Sequence, residues 1–184
     1  GSGTMGNGIA QVAATSGYQV TCMDVQSAAL EKAKAAIAKS TAKLLEKGTI
    51  TQEGKDSADK INYVSNMDTM KDADFVIEAA TENPELKFKI FKDMDANARE
   101  GVILASNTSS ISITKIAAQT NRPERAIGMH FMNPVPKMKL VELVRGIKSF
   151  PGIKEVSMTT NALLLGRLAD DLAWAGLDRV NVSI

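Results

Sequence analysis

The sequence contains few cysteine, histidine and aromatic residues and almost no net charge, and the low charge and the single cysteine each exclude a class of function. Its 184 residues include one cysteine, one histidine and one tryptophan, and aromatic residues make up 4%. With 22 basic and 21 acidic residues the formal net charge is +1, which argues against binding nucleic acid through bulk charge. No apolar run approaches the roughly 20 residues of a membrane-spanning helix. Hydrophobic residues at 44% and charged residues at 23% are typical of a soluble globular protein.

The single cysteine, Cys22, limits both covalent and metal chemistry. It excludes an internal disulfide and any metal or iron–sulfur site that needs several cysteines, so no metal site is predicted. One cysteine also fits a reducing, cytoplasmic location. The length suits one domain of about 150 residues plus a smaller segment.

Helical and strand-like patterns alternate along the chain. The predicted elements are a helix over 4–17, a strand over 18–24, a long amphipathic helix over 26–47, strands over 61–65 and 74–80, a helix over 84–98, a strand over 101–106, a short helix over 112–119, and strands over 126–131 and 138–144. The strand over 74–80 is apolar enough to be buried on both faces. This alternation predicts a doubly wound, Rossmann-like α/β domain with a mainly parallel sheet.

The chain opens with a glycine pattern that is typical of dinucleotide binding. Gly1, Gly3 and Gly6 form G-x-G-x-x-G directly before a predicted helix, with Thr4 and Met5 between the last two, and Asp24 ends the next predicted strand. Glycines allow a tight turn and close approach to a pyrophosphate, while the later acid accepts hydrogen bonds from a ribose. No basic residue directly follows Asp24 to receive a 2′-phosphate, so the pattern favours NAD over NADP. The alternative is a glycine-rich turn without function.

The glycine pattern normally follows a β-strand, yet its first glycine here is residue 1. In the strand order 3-2-1-4-5-6 that preceding strand is central. The sequence therefore predicts a sheet whose first strand is absent from the chain, and two explanations stay open. Either the chain is a fragment, or another segment fills the central position.

His130 lies between two strand-like runs that are joined by a turn at Asn133-Pro134 and Pro136. If the runs pair antiparallel about Pro136, His130 lies opposite Glu142 with Cβ atoms about 5 Å apart. A carboxylate that holds one imidazole nitrogen fixes the tautomer and stabilises the imidazolium, so the pair predicts a general acid/base dyad. The alternatives are a histidine that belongs to the core and a solvated glutamate on a hairpin.

Hydroxyl side chains follow the predicted strand over 101–106, in the run Ser106-Asn107-Thr108-Ser109-Ser110. Ligands of open α/β sheets bind beyond the carboxyl ends of strands, so these hydroxyls are placed to contact a substrate oxygen or a cofactor amide. The alternative is that they only cap the next helix.

The runs GSGTMGNGIAQ, SNTSS and IGMHFMNPVPKMKLVELVRG closely resemble the nucleotide-binding domain of the 3-hydroxyacyl-CoA dehydrogenases, over residues 1–146. The resemblance implies NAD as cofactor, His130 as catalytic acid/base and Glu142 as its partner. The other implied contacts are Ser109 with the substrate 3-oxygen and the cofactor, Asn133 with nicotinamide or substrate, Glu82 and Lys87 near the NAD, and Ser40 and Lys47 with coenzyme A. For Lys47 the alternative is an ordinary solvated helix charge.

The resemblance implies a reversible, NAD-linked oxidation of a (3S)-3-hydroxyacyl-CoA, such as 3-hydroxybutyryl-CoA, to the 3-ketoacyl-CoA. Such a step belongs to fatty acid and butyrate metabolism. In that family a helical domain follows, which dimerises and closes the acyl-CoA site. Two interpretations therefore stay open for this chain: an active dehydrogenase, or an NAD-binding module that lacks its substrate domain.

Residues 147–184 do not resemble that helical domain. They predict a strand over 156–160, a helix over 163–175 and a strand over 179–184. The segment resembles a βαβ part of the radical S-adenosylmethionine GTP cyclase of molybdenum-cofactor synthesis, in which TTN and RVNVS occur. We therefore expect a tail of different origin that packs on or extends the sheet, without radical chemistry, because the iron–sulfur cluster of that family needs three cysteines.

Overall fold

The computed structural model describes residues 1–131, 133–136, 155, 157–160, 165–174 and 176–182. The chain divides into two compact units, Gly1–Pro136 and Lys137–Ile184. No helix within the described ranges is long and apolar enough to cross a membrane.

The first unit alternates helices and strands, which confirms the predicted α/β class. Its helices are α1 (Thr4–Thr15), α2 (Ser27–Glu46), α3 (Gln52–Asp59), α4 (Pro84–Asn97) and α5 (Ile113–Ala117). Its strands are β1 (Thr21–Met23), β2 (Asn62–Val64), β3 (Phe75–Glu78), β4 (Ile103–Ser106) and β5 (Ala126–Gly128). Short 3-10 helices span Asp68–Asp72 and Pro123–Arg125.

All strand pairs of the described residues are parallel. β1 pairs with β2, and β3, β4 and β5 form a second sheet in that order, with Glu78 opposite Ser106 and Ser106 opposite Gly128. In the doubly wound fold, the strand that precedes the glycine loop lies between two groups of strands. The pair β1 and β2 corresponds to one of these groups, and β3, β4 and β5 correspond to the other. The carboxyl ends of β3, β4 and β5 meet at one edge, and the loops after them lie together there.

Two apolar cores stabilise the two halves. The first joins α1, α2 and α3 to β1 through buried residues that include Ala14, Cys22 and Ile37. The second joins α4, β4 and α5 through residues that include Phe91, Leu104 and Ile116. Burial raises the pKa of the Cys22 thiol, so this cysteine is a neutral core residue.

The helix α3 lies between the predicted helix over 26–47 and the predicted strand over 61–65, where the sequence pattern predicts no element. The Thr51 hydroxyl caps this helix by accepting a hydrogen bond from Gly54 N at 3.1 Å. Gly54 packs so closely that a Cβ there would lie 3.0 Å from the Thr15 carbonyl oxygen. Because α3 has few apolar residues, its periodicity gave little signal, and the capping threonine was the available clue.

The prediction that residues 74–80 are buried on both faces is wrong. Phe75 is 39% exposed, and Val76 and Ile77 are half-buried. The reason is that β3 is an edge strand of its described sheet, with β4 on one side only. The strands predicted over 18–24 and 126–131 are also shorter, at Thr21–Met23 and Ala126–Gly128. The strand predicted over 138–144 lies outside the described residues.

The second unit contains a strand, a helix and a strand, at the places where the sequence predicts them. These are β6 (Ser157–Thr160), α6 (Leu165–Trp174) and β7 (Arg179–Val182), and β6 pairs with β7 in parallel. Leu172 of α6 is 1% exposed. The different origin of this segment and its packing on the sheet stay predictions.

Arg122 fastens the C-terminal end of α4. Its Nε donates a hydrogen bond to Oδ1 of the buried Asp95 at 2.6 Å, and its two terminal nitrogens donate to the carbonyls of Arg99 at 2.6 Å and Asp95 at 2.8 Å. Asn121 donates two further hydrogen bonds to Asp95 Oδ2, at 2.8 and 3.0 Å. Carbonyls at the end of α4 thereby gain partners that the helix itself cannot supply.

We expect Arg122→Ala to lower the free energy of unfolding by about 2–4 kcal/mol, because Asp95 stays buried without its cation. Urea denaturation measures this change. Arg125→Ala removes an exposed arginine of the neighbouring 3-10 helix and should change stability by less than about 0.5 kcal/mol. Equal losses in the two variants would contradict the role assigned to Arg122.

Candidate functional site

The glycine loop packs against the turn after β3. A Cβ on Gly1 would lie 2.6 Å from Ala80 Cα and 2.9 Å from the Ala79 carbonyl oxygen. A Cβ on Gly6 would lie 1.8 Å from the Gly1 carbonyl oxygen. Backbone approach therefore requires these two glycines. Gly3 differs, because no atom beyond its chain neighbours lies within 4 Å of its Cβ position.

The space beside Gly3 adjoins the N-terminal end of α1. Gly3 is the N-cap of this helix, makes no side-chain cap hydrogen bond, and is followed by a first turn without acidic residues. Thr4 is exposed and Met5 half-buried. The first amide groups of a helix lack partners within the helix and carry its positive dipole end. Open space and uncapped amide groups together fit a pyrophosphate.

Asp24, directly after β1, is bonded to the glycine loop. Its Oδ2 accepts hydrogen bonds from Ser2 N at 2.8 Å and Ser2 Oγ at 3.0 Å, and its Oδ1 accepts from Gln26 N at 3.0 Å. Partial burial alone would raise the pKa of the Asp24 carboxyl, but these hydrogen bonds outweigh it and lower that pKa. The charged carboxylate fits a ribose hydroxyl donor. Sequence reasoning missed Ser2, whose position between two fingerprint glycines was the only clue.

A buried ion pair lies under the loops that follow β3 and β4. Glu78 is 3% exposed and Lys87, on α4, is 1% exposed, and Lys87 Nζ contacts Glu78 Oε2. Ser106 Oγ donates to Glu78 Oε2 at 2.7 Å and accepts from Lys87 Nζ at 3.3 Å. Glu78 Oε1 accepts from Ala80 N at 2.7 Å. The network thus joins β3, β4 and α4 to Ala80, against which Gly1 packs.

This network adds an internal role to Lys87. The ammonium has Glu78 and Ser106 as hydrogen-bond partners inside the protein. A contact between Lys87 and the cofactor stays a prediction. Sequence reasoning missed Glu78, although an acid at the end of the apolar strand DFVIE was a visible anomaly.

The Glu82 carboxylate holds the serine loop, which we define as residues 107–110. Glu82 Oε2 accepts hydrogen bonds from Thr108 Oγ1 at 2.7 Å and Ser110 Oγ at 2.9 Å, and Oε1 accepts from Ser109 N at 3.3 Å. Burial would raise the pKa of the Glu82 carboxyl, but these bonds and the charge of Lys87 lower it. Ser109 is exposed.

His130, two residues after β5, lies beside the serine loop. Its Nδ1 is 3.4 Å from the Thr108 carbonyl oxygen. Two hydrogen bonds hold the adjoining backbone: Phe131 N donates to Asn107 Oδ1 at 2.7 Å, and Met129 N donates to the Ser106 carbonyl at 2.9 Å. The structure therefore brings the exposed imidazole to the loop that carries Ser109.

The roles of the other predicted residues stay predictions. Glu142 lies outside the described residues, and Asn133 is exposed. Ser40 is half-buried on α2, and Lys47 is exposed just after it. Among the described residues, neither hydrogen-bonds with the glycine loop or the serine loop, so their contacts with coenzyme A stay predictions. Within the described ranges, no cluster of three or more His, Cys, Asp and Glu residues could hold a metal ion.

We expect Lys87→Met to lower the free energy of unfolding by about 3–5 kcal/mol, because it leaves the Glu78 carboxylate buried without a cation. Chemical denaturation measures this loss. Lys89→Met removes an exposed lysine of the same helix and serves as the matched control. A second substitution, Glu78→Gln, should restore part of the loss in Lys87→Met. An unchanged stability of Lys87→Met would show that the ion pair is not structural.

Comparison with known proteins connects this geometry to a family. Residues 1–162 match the domain family described as "3-hydroxyacyl-CoA dehydrogenase, NAD binding domain". The chain is 48% identical over 158 residues to a 3-hydroxybutyryl-CoA dehydrogenase of Bradyrhizobium diazoefficiens, which covers 85% of this chain and 54% of the relative. It is 49% identical over 148 residues to a probable 3-hydroxybutyryl-CoA dehydrogenase of Bacillus subtilis, with coverages of 80% and 52%.

Solved structures give the same result for the fold. The (S)-3-hydroxybutyryl-CoA dehydrogenase of Ralstonia eutropha has a TM-score of 0.73 and 41% identity, covering 98% of this chain and 60% of that one. A 3-hydroxybutyryl-CoA dehydrogenase of Escherichia coli has a TM-score of 0.73 and 35% identity, covering 98% of this chain and 36% of that one. The chain spans about half the length of the Bradyrhizobium and Bacillus relatives.

The Rossmann-like fold and the NAD cofactor predicted from the sequence are confirmed by these matches. With a family match over residues 1–162 and relatives near 48% identity, the chain belongs to the 3-hydroxyacyl-CoA dehydrogenases, as their NAD-binding domain.

Proposed function

We propose that this chain supplies the NAD site and the acid/base histidine of an enzyme that interconverts (3S)-3-hydroxybutyryl-CoA and its 3-keto product. One observation carries the proposal: the serine loop and His130 meet at the carboxyl ends of parallel strands, and the glycine loop packs beside them. Ligands of open α/β sheets bind at that edge. The names of the relatives, 3-hydroxybutyryl-CoA dehydrogenases, support a short-chain substrate. The proposed reaction would belong to fatty acid and butyrate metabolism.

The glycine loop is proposed to bind the cofactor through its backbone. Gly1, Gly3 and Gly6 allow the approach of the pyrophosphate, and the amide groups of Thr4 and Met5 lie in the first turn of α1. Asp24 would accept hydrogen bonds from the adenosine ribose, and Glu82, Lys87, Ser109 and Asn133 would lie near the nicotinamide end. When bound, NAD supplies the two-electron acceptor for the hydride of substrate carbon 3.

His130 is proposed to carry the proton of the reaction. The Thr108 carbonyl oxygen lies 3.4 Å from Nδ1. A carboxylate that accepts a hydrogen bond from one imidazole nitrogen fixes the tautomer, and this role is proposed for Glu142. The other ring nitrogen is then the base that takes the proton of the substrate hydroxyl during oxidation and returns it during reduction. Glu142 would stabilise the imidazolium, and the Ser109 hydroxyl would orient the substrate 3-oxygen.

A second candidate function is an NAD-binding module that does not turn over substrate by itself. The residues of this chain correspond to 54% of one relative and 52% of another. In this candidate the helical domain that dimerises in the family is needed to close the acyl-CoA site, to which Ser40 and Lys47 would contribute. Residues 1–146 form the NAD-binding part of either candidate, and residues 147–184 contribute strands rather than chemistry.

The cofactor site is tested by a pair of glycine substitutions. Gly3→Ala should leave the free energy of unfolding within about 1 kcal/mol of the parent, since a Cβ meets no protein atom there, yet weaken NADH binding at least about tenfold by blocking close approach. Gly6→Ala should destabilise the fold itself. NADH fluorescence and thermal unfolding measure the two effects. Unchanged NADH affinity in Gly3→Ala would contradict the proposed site.

Acetoacetyl-CoA and NADH distinguish the two candidate functions, with loss of NADH absorbance as the readout. For an active enzyme, His130→Ala should lower kcat by about 10²–10⁴-fold while the Kd for NADH stays within twofold, since one proton transfer is lost. Arg125→Ala, remote from the site, is the control. NADH binding without turnover favours the module, and absence of NADH binding contradicts both candidates.

A further inference from the structure

One exposed carboxylate at the candidate site accepts three hydrogen bonds from the serine loop. Both oxygens of Glu82 are engaged, by two hydroxyls and one backbone amide of three consecutive residues, Thr108, Ser109 and Ser110. Exposed glutamates commonly remain solvated, because ordering a long side chain costs conformational entropy. Three converging donors from one short loop offset that cost, and hydrogen bonds to an ionised acceptor are stronger than neutral ones.

The backbone segment that carries Glu82 is held by hydrogen bonds on both sides. It lies in the short link between β3 and α4, and both ends of that link are anchored. Before it, the Glu78 carboxylate accepts from Ala80 N at 2.7 Å. After it, Asn83 Oδ1 caps α4 by accepting from Leu86 N at 2.9 Å, and Lys87 ties the first turns of α4 to the buried network. The carboxylate is therefore presented to the serine loop from a fixed backbone.

Thr108 connects this carboxylate to the imidazole. Its hydroxyl donates to Glu82 Oε2 at 2.7 Å and accepts from Ile111 N at 3.1 Å. Its carbonyl oxygen is the neighbour of His130 Nδ1, at 3.4 Å. A change in the position of Thr108 therefore moves the acceptor that faces the ring nitrogen. The same change moves Ser109, the next residue of the loop.

We propose that Glu82 is a positioning residue, which fixes the serine loop so that the Thr108 carbonyl lies against the His130 ring and the Ser109 hydroxyl faces the substrate. This inference rests on the proposed function for its catalytic meaning. The contact network itself does not depend on turnover. Glu82 acts through the loop, so its removal changes the geometry of two groups without removing either.

The single histidine of the chain makes the proposal measurable without enzymatic activity. Every imidazole signal in an NMR spectrum of the full chain comes from His130. In Glu82→Ala we expect the ring signals of His130 to shift, because the carbonyl oxygen beside Nδ1 is no longer held in place. We also expect the Ser109 amide proton to move upfield, because it loses a carboxylate acceptor.

Graded variants separate positioning from general loosening of the fold. Glu82→Gln keeps one acceptor oxygen for the two hydroxyls but places an amide nitrogen near Ser109 N, so its shifts should lie between those of the parent and Glu82→Ala. Ser110→Ala removes one donor and should reproduce part of the change. Glu85→Ala, which removes an exposed glutamate of α4 without a hydrogen bond to any described residue, should leave the His130 and Ser109 signals unchanged.

The outcomes distinguish this inference from the proposed function. Unchanged His130 ring and Ser109 amide signals in both Glu82→Ala and Ser110→Ala would overturn the positioning role, whatever the activity. If the parent chain turns over acetoacetyl-CoA, Glu82→Ala should lower kcat about tenfold or more, by misplacing the loop, with a smaller change in KM. If the parent binds no NADH, the proposed function fails, while the signals of His130 still decide the role of Glu82.

Discussion

The buried contact between Glu78, Lys87 and Ser106 is the interaction on which the rest of the site depends. Charges withdrawn from water carry a large desolvation cost, which close pairing and further hydrogen bonds must offset. Here the carboxylate receives the ammonium and the Ser106 hydroxyl on one oxygen and the Ala80 amide on the other. No polar side-chain atom that is fully buried among the described residues lacks a partner. The pair is therefore arranged for definite geometry rather than for stability alone.

Each functional loop is in contact with, or directly follows, a residue that is held by Glu78, Lys87 or Ser106. Ala80, held by Glu78, is the surface against which Gly1 packs, and this fixes the glycine loop. Ser106 ends β4, so it positions the start of the serine loop, and its carbonyl accepts from Met129 N beside the histidine. Lys87 holds α4, and the link before α4 presents Glu82. The glycine loop, the serine loop and the His130 imidazole are thus all positioned by the contact between Glu78, Lys87 and Ser106.

The sequence predicted those features that depend on local pattern. Caps, breakers and periodicity sufficed for α1, α2, α4 and the buried strand β4, and the spacing of glycines and acid sufficed for the NAD fingerprint. It could not predict partners that meet only after folding. Ser2 finds Asp24 across 22 positions, and Ser106 finds Glu78 across 28, so each role depends on strand order and register. The exposure of Phe75 likewise depends on which strands flank β3.

The two ends of the site are fixed by different means but share one electrostatic requirement. At the cofactor end, glycines without side chains allow the close packing of the glycine loop. At the histidine end, the Glu82 carboxylate accepts hydrogen bonds from the hydroxyls of the serine loop. Asp24 and Glu82 both have a pKa below the ordinary value, because hydrogen bonds to the ionised form outweigh burial. A lowered folded-state pKa stabilises the fold at pH above the unfolded value, and that contribution is lost as pH falls through the folded value. Acidification therefore loosens both ends of the site, and neutral pH keeps both carboxylates as acceptors.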